Sequence, residues 1–302
     1  VMIQEFKDKQ SIVGKVGKDE LYTYKKENLL ALTKAIAKSY DEHYAEKFFG
    51  TQTYLSFEKN VLYKLLANLE DKSLAIDLGC ATGVVAYNIA TQFEKVIGYD
   101  ISPEMIKIAN GKKNGQKADD LKFIKTDLEE GIDIKDESVS LAVMNLGTAS
   151  DIRNIKGVIE SVRKSLKYGG KFLFSFHNSE SLFAKMGFLP WPMSLAAHID
   201  PETCCLEVFC DGQVYFLYTK PYSVDEVRAL IEGSGLEIEE ISTFPTCASV
   251  LPNILLEEVG NEEPHKPNKE VRKVIEKIDN ELANSSINSG TYIIVTGEKP
   301  VA

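Results

Sequence analysis

The residues whose types and spacing could do chemistry concentrate in one segment, Leu74-Ala-Ile-Asp-Leu-Gly-Cys-Ala-Thr-Gly83. An apolar run ends there in a carboxylate, Asp77, and the chain then passes through Gly79 and Gly83 into a pattern typical of a helix. Glycine permits the tight dihedral angles of such a turn and lets a ligand approach the backbone. Exposed N–H groups at the start of a helix favour a polar or anionic ligand group. The segment therefore predicts a ligand-binding turn between a strand and a helix.

The glycine spacing separates two classes of cofactor. A dinucleotide site needs the register G-x-G-x-x-G, whereas this turn has G-x-A-x-G followed by two valines. Asp77, which stands before the first glycine, would also repel a pyrophosphate. The turn therefore disfavours an NAD-dependent oxidoreductase and suits a cationic ligand.

Polar residues also end the apolar runs that follow along the chain, and helical patterns separate these runs. One helical pattern opens at Ser102-Pro-Glu, which supplies an N-cap serine and a proline at the first helical position. Strands alternating with helices predict βαβ units and a mostly parallel sheet, which binds ligands outside the carboxyl ends of its strands. We therefore expect five polar side chains to gather along one rim of the sheet: Asp77, Asp100, Asp127, Asn145 and His177.

Asp77-Leu-Gly-Cys-Ala-Thr-Gly83 resembles the first motif of class I S-adenosylmethionine-dependent methyltransferases, (D/E)-x-G-x-G-x-G, with Ala81 in place of the middle glycine. Residues 96–105, 123–128 and 142–147 resemble the motifs at the ends of the next three strands of that family. The resemblance covers residues 73–178 well and 223–302 loosely. It implies an α/β fold, a three-layer Rossmann-like methyltransferase sheet that is mostly parallel, with an antiparallel last strand.

The resemblance implies S-adenosyl-L-methionine as the cofactor and S-adenosyl-L-homocysteine as its product. It implies that Asp100 receives both ribose hydroxyls, since a carboxylate can accept two donors, and that Asp127 accepts from the adenine amine. The end of the fourth strand faces the methionyl part. The residues that the resemblance places at the cofactor are Asp77, Gly79, Cys80, Ala81, Gly83, Asp100, Ile101, Met105, Asp127, Leu128, Asn145, Leu146 and, from an N-terminal aromatic segment, Tyr44.

Methyl transfer needs mainly proximity and alignment, and it needs a general base only where the nucleophile arrives protonated. His177 is the candidate catalytic base, because it follows the fifth strand and histidine titrates near neutrality. A hydrogen bond to the loop, or a substrate contact without a proton role, is the alternative for this histidine. The candidate substrate-binding residues are Tyr40, His177, Trp191 and His198.

The acceptor that we expect is an O or N atom of a small molecule with an apolar or aromatic body. A protein or tRNA methyltransferase, and an S-adenosylmethionine-binding protein without catalysis, are the alternatives. Residues 179–222 are predicted to form the substrate lid, because they interrupt the alternation with many apolar residues. A dimer contact or a satellite core is the alternative for this insertion.

Segments before and after the predicted sheet strands must position the candidate site residues. Residues 1–70 are predicted to form an N-terminal helical cap with helices over 25–38 and 57–69, and residues 71–302 a methyltransferase domain. In the insertion, residues 179–222, the first half is expected to be irregular. The second half is a β-hairpin around Asp211-Gly212. Residues 253–289 are predicted to form a helical insert.

The 302 residues carry a formal net charge of −10 and are 44% hydrophobic, which is typical of a globular chain. The 45 acids outnumber the 35 bases, which argues against duplex nucleic acid as a partner. No apolar run is long enough to span a bilayer, and the first residues lack a secretory apolar core, so we expect a cytoplasmic protein without a membrane partner. The five cysteines lack zinc-site spacing, and no metal is expected. The oligomeric state stays open.

Overall fold

The computed structural model describes residues 17–42, 49–113, 120–191, 194–251 and 268–301. Two β-sheets contain all the strands of this part of the chain. In chain order the strands are β1 (Leu74–Leu78), β2 (Lys95–Asp100), β3 (Leu121–Lys125), β4 (Val139–Met144), β5 (Leu166–His177), β6 (Phe188–Trp191), β7 (Ser194–Asp200), β8 (Cys205–Cys210), β9 (Gln213–Tyr218), β10 (Glu237–Phe244) and β11 (Tyr292–Glu298).

The larger sheet has seven strands in the order β10-β11-β5-β4-β1-β2-β3. Strands β1 to β5 pair in parallel, whereas β11 runs antiparallel to both of its neighbours, β5 and β10. This topology confirms the prediction of a mostly parallel sheet with an antiparallel last strand. Because β1 to β5 run in one direction, their carboxyl ends meet at the same edge, where such sheets bind ligands.

Helices cover both faces of this sheet. Side chains alternate across a strand, so Ile76 of β1 packs in one apolar cluster with Ile159 and Ile231, whereas Ala75 packs in another with Leu62. The helices of the described residues are α1 (Lys18–Ile36), α2 (Phe49–Ala67), α3 (Val84–Ile89), α4 (Pro103–Gly111), α5 (Ile155–Ser165), α6 (Leu182–Lys185), α7 (Val224–Gly233), α8 (Cys247–Val250) and α9 (Lys269–Ala283).

Local sequence fixes several helix boundaries. The Ser102 hydroxyl accepts a hydrogen bond from the Met105 N–H at 3.3 Å, and a proline opens α4, as predicted. Ser223 and Glu226 form a capping box at the start of α7. These caps set where each helix leaves the sheet, and they therefore set the shape of the loops at its edge.

The insertion forms a four-stranded antiparallel sheet in the order β6-β7-β8-β9. Strands β8 and β9 are the predicted hairpin, and its turn residues Asp211 and Gly212 have φ angles of 48° and 78°, as a type I′ turn requires. The prediction of an irregular first half was wrong. Its residues add β6 and β7, which pair with each other and, through β7, with the hairpin.

Helix α1 packs on this small sheet, and we call α1 and the four strands together the cover. Leu32 of α1 is buried in one cluster with Leu206 and Leu217. The Lys25 ammonium is also buried and donates to the carbonyls of Thr203 at 2.7 Å and Cys204 at 3.1 Å. Burial lowers the pKa of Lys25. Helix and small sheet are therefore joined by apolar packing and by a buried ammonium.

The two predicted N-terminal helices begin earlier than expected, at Lys18 and Phe49, and α2 packs on the larger sheet rather than on α1. The predicted domain division into a cap and a catalytic domain stays a prediction. Much of the predicted helical insert, namely residues 253–267, lies outside the described residues. No helix in the described parts of the chain is long and apolar enough to cross a membrane.

Candidate functional site

A cavity of about 200 Å³ opens at the carboxyl edge of β1 to β5 and lies beneath the cover. The structure brings most of the predicted site residues together on its wall, although their roles in binding stay predictions. The predicted residues that line it are Tyr40, Gly79, Cys80, Ala81, Asp100, Ile101, Met105, Asp127, Leu128, Asn145, Leu146 and His177.

The turn after β1 has the backbone that the glycines predicted. Gly79 and Gly83 have φ angles of 74° and 85°, in the region that favours glycine. A Cβ atom on Gly79 would lie 2.4 Å from Thr148 Cγ2. Ala81 also has a positive φ, 45°, which explains physically why glycine is usual at this position of the motif. The turn is therefore tightly bounded by its neighbours.

Asp77 lies buried beneath this turn rather than on the cavity wall. Its Oδ2 accepts from the Ala86 N–H at 3.1 Å, and its Oδ1 has no hydrogen-bond partner among the described residues. Burial first, and with it the nearby carboxylates of Asp100 and Glu58, raises the pKa of Asp77 to about 7. A buried acceptor oxygen without a donor indicates that a ligand or water completes this site.

Asp100 ends β2 and holds the turn from the opposite side. Its Oδ2 accepts from the Ala81 N–H and its Oδ1 from the Ser102 N–H, both at 2.8 Å. Burial raises the pKa of Asp100, while these two backbone bonds lower it. A carboxylate offers about four acceptor positions, so both oxygens can still accept a further hydrogen bond from a ligand hydroxyl.

Asp127 accepts from the Glu129 N–H at 3.1 Å through Oδ1 and forms an ion pair with Lys26 of α1 through Oδ2. Lys26 also lies 3.2 Å from Glu129 Oε2, and Tyr22 donates a hydrogen bond to the same carboxylate. Helix α1 therefore closes this end of the cavity through ionic contacts. Sequence spacing carries no signal for these contacts, because they join residues far apart in the chain.

Glu58 of α2 is a buried carboxylate near the methionyl end that sequence reasoning missed. Tyr54 donates to its Oε1 at 2.6 Å, and burial raises the pKa of Glu58 to about 7. The Leu146 N–H donates to the Tyr54 oxygen at 3.2 Å. A signal existed, because Glu58 stands four residues after Tyr54 and four before Leu62, on the buried face of the helix.

His177 ends β5 on the cavity wall, and its Nδ1 has no hydrogen-bond partner among the described residues. Burial lowers the pKa of His177 to about 3, so the imidazole is neutral near pH 7 and accepts a proton poorly. Its ring lies 5.0 Å from that of Tyr292, which also lines the cavity. The structure thus places the candidate base at the cavity in a weakly basic form.

Asp151 was not among the predicted site residues. It ends a short 3₁₀ helix, Thr148–Asp151, whereas α5 begins at Ile155. The Thr219 hydroxyl donates to Asp151 Oδ1 at 2.6 Å, and the carboxylate lines the cavity. Burial raises the pKa of Asp151 to about 7. A further carboxylate, from the loop that follows β4, therefore lines the site.

The remaining predicted residues do not join the described wall. His198 lies on β7 with about half of its side chain exposed, 3.7 Å from Glu207, and it does not line the cavity. Gly83 caps α3 beside the cavity. The side chain of Trp191, which ends β6, and the whole of Tyr44 lie outside the described residues. The described residues contain no group of three or more His, Cys, Asp or Glu that could hold a metal ion.

Comparison with known proteins identifies the family of this fold. Residues 69–199 match the family described as "Methyltransferase domain". The probable S-adenosylmethionine-dependent methyltransferase CRG1 of Saccharomyces cerevisiae is 32% identical over 107 residues, which are 35% of this chain and 36% of the yeast protein. The chain thus spans only about a third of that relative, and 46% of the methyltransferase-like YqeM of Bacillus subtilis.

Solved structures share the fold at lower identity. One is a complex between the Haloferax volcanii Trm112 methyltransferase activator and a protein proposed to be a methyltransferase, with a TM-score of 0.56 and 15% identity over 89% of this chain and 96% of that chain. Another is DhpI in complex with S-adenosylhomocysteine, also with a TM-score of 0.56 and 15% identity, over 93% and 99% of the two chains. The chain carries a methyltransferase domain of the class I S-adenosylmethionine-dependent family.

Proposed function

We propose that the chain is an S-adenosylmethionine-dependent methyltransferase that transfers a methyl group to an O or N atom of a small molecule. One observation carries this proposal. Two buried carboxylates, Asp77 and Glu58, stand close to the half-buried carboxylate of Asp100 at the glycine turn, and no cation among the described residues offsets them. Buried charges of one sign without a partner are costly. A cofactor with a sulfonium and an ammonium group would supply the missing positive charge.

The hydrogen-bond acceptors on the cavity wall match the rest of this cofactor. We assign the ribose hydroxyls to Asp100, whose oxygens keep free acceptor positions, and the adenine amine to Asp127, which would share its carboxylate with Lys26. We assign the methionyl part to Asn145 and the glycine turn, which line the same cavity. The bound cofactor supplies an activated methyl group, so the protein has mainly to align the acceptor with it.

The cover supports a small acceptor. Helix α1 contributes Tyr22, Leu29 and Ile36 to the cavity wall, and Pro190 of β6 lines it from the small sheet. A protein or tRNA acceptor would have to displace this cover before it reached the cavity. The apolar and aromatic part of the wall favours an acceptor with an apolar or aromatic body. Neutral His177 would then donate or accept a hydrogen bond rather than remove a proton.

Isothermal titration tests the cofactor. We expect S-adenosylmethionine and S-adenosylhomocysteine to bind and NAD not to bind. Because burial raises the pKa of Asp77 and Glu58 to about 7, a bound cation should lower both values and release protons near neutral pH. This release makes the measured binding enthalpy depend on the ionisation enthalpy of the buffer. Binding of NAD without affinity for either S-adenosyl compound would refute the proposal.

Catalysis requires a separate measurement. Mass spectrometry of a panel of small hydroxyl and amine compounds, incubated with protein and S-adenosylmethionine, should show products heavier by one methylene unit. Protein and tRNA substrates serve as the competing panel. Methylation confined to a macromolecule would replace the small-molecule assignment. Cofactor binding without any methylated product would favour a binding protein.

A further inference from the structure

Asp151 and Asp100, the carboxylate to which we assign the ribose, stand at opposite ends of the cavity. The order of the central strands puts β4 and β5 on one side of β1, and β2 with Asp100 on the other. The Ser150 hydroxyl accepts from the His177 N–H at 2.9 Å, so the short helix Thr148–Asp151 is fixed to the end of β5. Asp151 and His177 are thus held on the same wall, beyond the methionyl end.

The cover also anchors Asp151. Thr219, which follows β9, donates to Oδ1 at 2.6 Å, and the Lys220 N–H donates to the Ser150 carbonyl at 2.9 Å. These bonds leave Asp151 Oδ2 without a hydrogen-bond partner among the described residues, on a carboxylate that lines the cavity. The carboxylate is therefore positioned from both sides while one oxygen faces the space for a ligand.

No cation of the described residues pairs with this carboxylate, and the nearby basic residues are engaged elsewhere. Lys26 pairs with Asp127, and Lys25 donates to backbone carbonyls. Arg153, two residues later in the chain, pairs with Asp19. A carboxylate that is partly removed from solvent normally has a counter-charge or a set of donors, and a single hydroxyl is the donor that the structure shows for the half-buried Asp151.

Aromatic rings form the walls around this end of the cavity. Tyr218, which directly precedes Thr219, lines the cavity, and Tyr292, another lining residue, lies beside neutral His177. A carboxylate among such rings matches a ligand with a cationic nitrogen on an apolar or aromatic body. An alcohol would leave the negative charge unbalanced, and a carboxylic acid would be repelled.

We propose that Asp151 binds the protonated amine of the methyl acceptor and takes up its proton, so that the substrate class is amines with an apolar or aromatic body. This inference rests on the proposed function. In the step, one N–H bond of the ammonium breaks and the proton forms an O–H bond with Asp151, which leaves a neutral amine and a neutral carboxyl group. The nitrogen lone pair becomes the nucleophile. Burial, which raises the pKa of Asp151 to about 7, makes this carboxylate a stronger base than an exposed one.

Binding of two matched probes tests the inference without turnover. Benzylamine and benzyl alcohol differ in the cationic nitrogen, and their affinities are measured by titration for the protein alone and for protein saturated with S-adenosylhomocysteine. We expect benzylamine to bind about tenfold or more tightly than the alcohol, the scale of one hydrogen bond to a charged group. Equal affinities, or no binding of the amine at millimolar concentration, would overturn the inference.

Two variants test whether Asp151 is the residue that makes the amine bind more tightly than the alcohol. Asp151→Asn keeps an acceptor for the Thr219 hydroxyl but removes the charge, so it should abolish the preference for the amine while S-adenosylhomocysteine binds as before. Asp225→Asn, an equal charge change at an exposed position of α7, should keep it. If Asp151→Asn still prefers the amine, the inference is contradicted. If that variant does not fold, the affinities of benzylamine and benzyl alcohol for the wild-type protein decide whether the inference holds. Failure of S-adenosylhomocysteine to bind wild-type protein would instead count against the proposed function.

Discussion

Replacing Asp100 by asparagine tests whether one carboxylate both shapes the turn and holds the ribose. The two oxygens of Asp100 each accept from a different backbone N–H, those of Ala81 and Ser102, at 2.8 Å. Asparagine has one carbonyl oxygen, and its amide group would face the second N–H donor with another donor. Asp100→Asn therefore loses one bond to the backbone and the negative charge, with almost no change of shape.

The size of the effect follows from those contacts. An unsatisfied buried N–H costs about 1–3 kcal/mol, but the variant also removes a charge whose burial is unfavourable. We therefore expect the free energy of unfolding to fall by no more than about 2 kcal/mol. Loss of a charge-assisted hydrogen bond to the ribose should cost about 1.5–3 kcal/mol of binding, which raises the Kd roughly 10- to 100-fold.

Isothermal titration with S-adenosylhomocysteine gives the Kd, and urea unfolding gives the stability of the same preparation. Asp200→Asn is the matched control, because Asp200 also accepts from a backbone N–H, that of Glu202 at 3.0 Å, and does not line the cavity. Its Kd should match that of the wild type. If Asp100→Asn unfolds cooperatively and binds within roughly twofold of the wild type, the assignment of the ribose to Asp100 is refuted.

Three further perturbations test the turn, the buried carboxylates and the cover. Gly83→Ala should lower the free energy of unfolding in urea by about 2 kcal/mol or more, because φ is 85° and the new Cβ would lie 2.6 Å from the Phe123 ring. Gly212→Ala, with a φ of 78° and no atom within 4 Å of the new Cβ, should lower the free energy of unfolding by about 1 kcal/mol. Equal losses in the two variants would show that contact with Phe123 adds nothing to the cost at Gly83. The raised pKa of Glu58, about 7 against 4.5 when unfolded, gives stability that is complete below about pH 4 and lost as the pH rises through 7. Glu58→Gln should therefore show a smaller fall in stability between about pH 5 and pH 8, and an unchanged fall would show that Glu58 is not buried as an acid. Lys26→Met should speed amide hydrogen exchange in α1 but not in α9, because it breaks the ion pairs that hold α1 over the cavity; unchanged exchange in α1 would contradict that role.

The central sheet was predictable because its signals are local. Each strand from β1 to β4 is a short run rich in apolar residues, and a polar residue predicted from the sequence lies at its end or shortly after it. The start of β5 at Leu166 was less predictable, because Gly169 and Gly170 favour a turn and yet continue the strand through an irregular register with β4. Pairing with the neighbouring strand overrides that local preference.

The cover and part of the site were not predictable, because they depend on contacts between distant residues. Prolines at 190 and 192 hide the strand character of β6 and β7. Lys26 and Asp127 are 101 positions apart, and Thr219 and Asp151 are 68 apart. The spacing of residues along the sequence shows which side chains share one face of a helix or strand. It carries no information on which helix will lie across the mouth of a cavity.

The buried ammonium of Lys25 gives the cover a kinetic consequence. Because it bonds the carbonyls of Thr203 and Cys204 from within α1, the helix leaves the small sheet only if these two hydrogen bonds and the apolar packing around Leu32 are broken together. The helix closes the Asp127 end, and Thr219 after the last strand of the small sheet secures the Asp151 end. We therefore expect α1 and the small sheet to move as one unit, so that the two ends of the cavity open together and a ligand at one end leaves no faster than a ligand at the other.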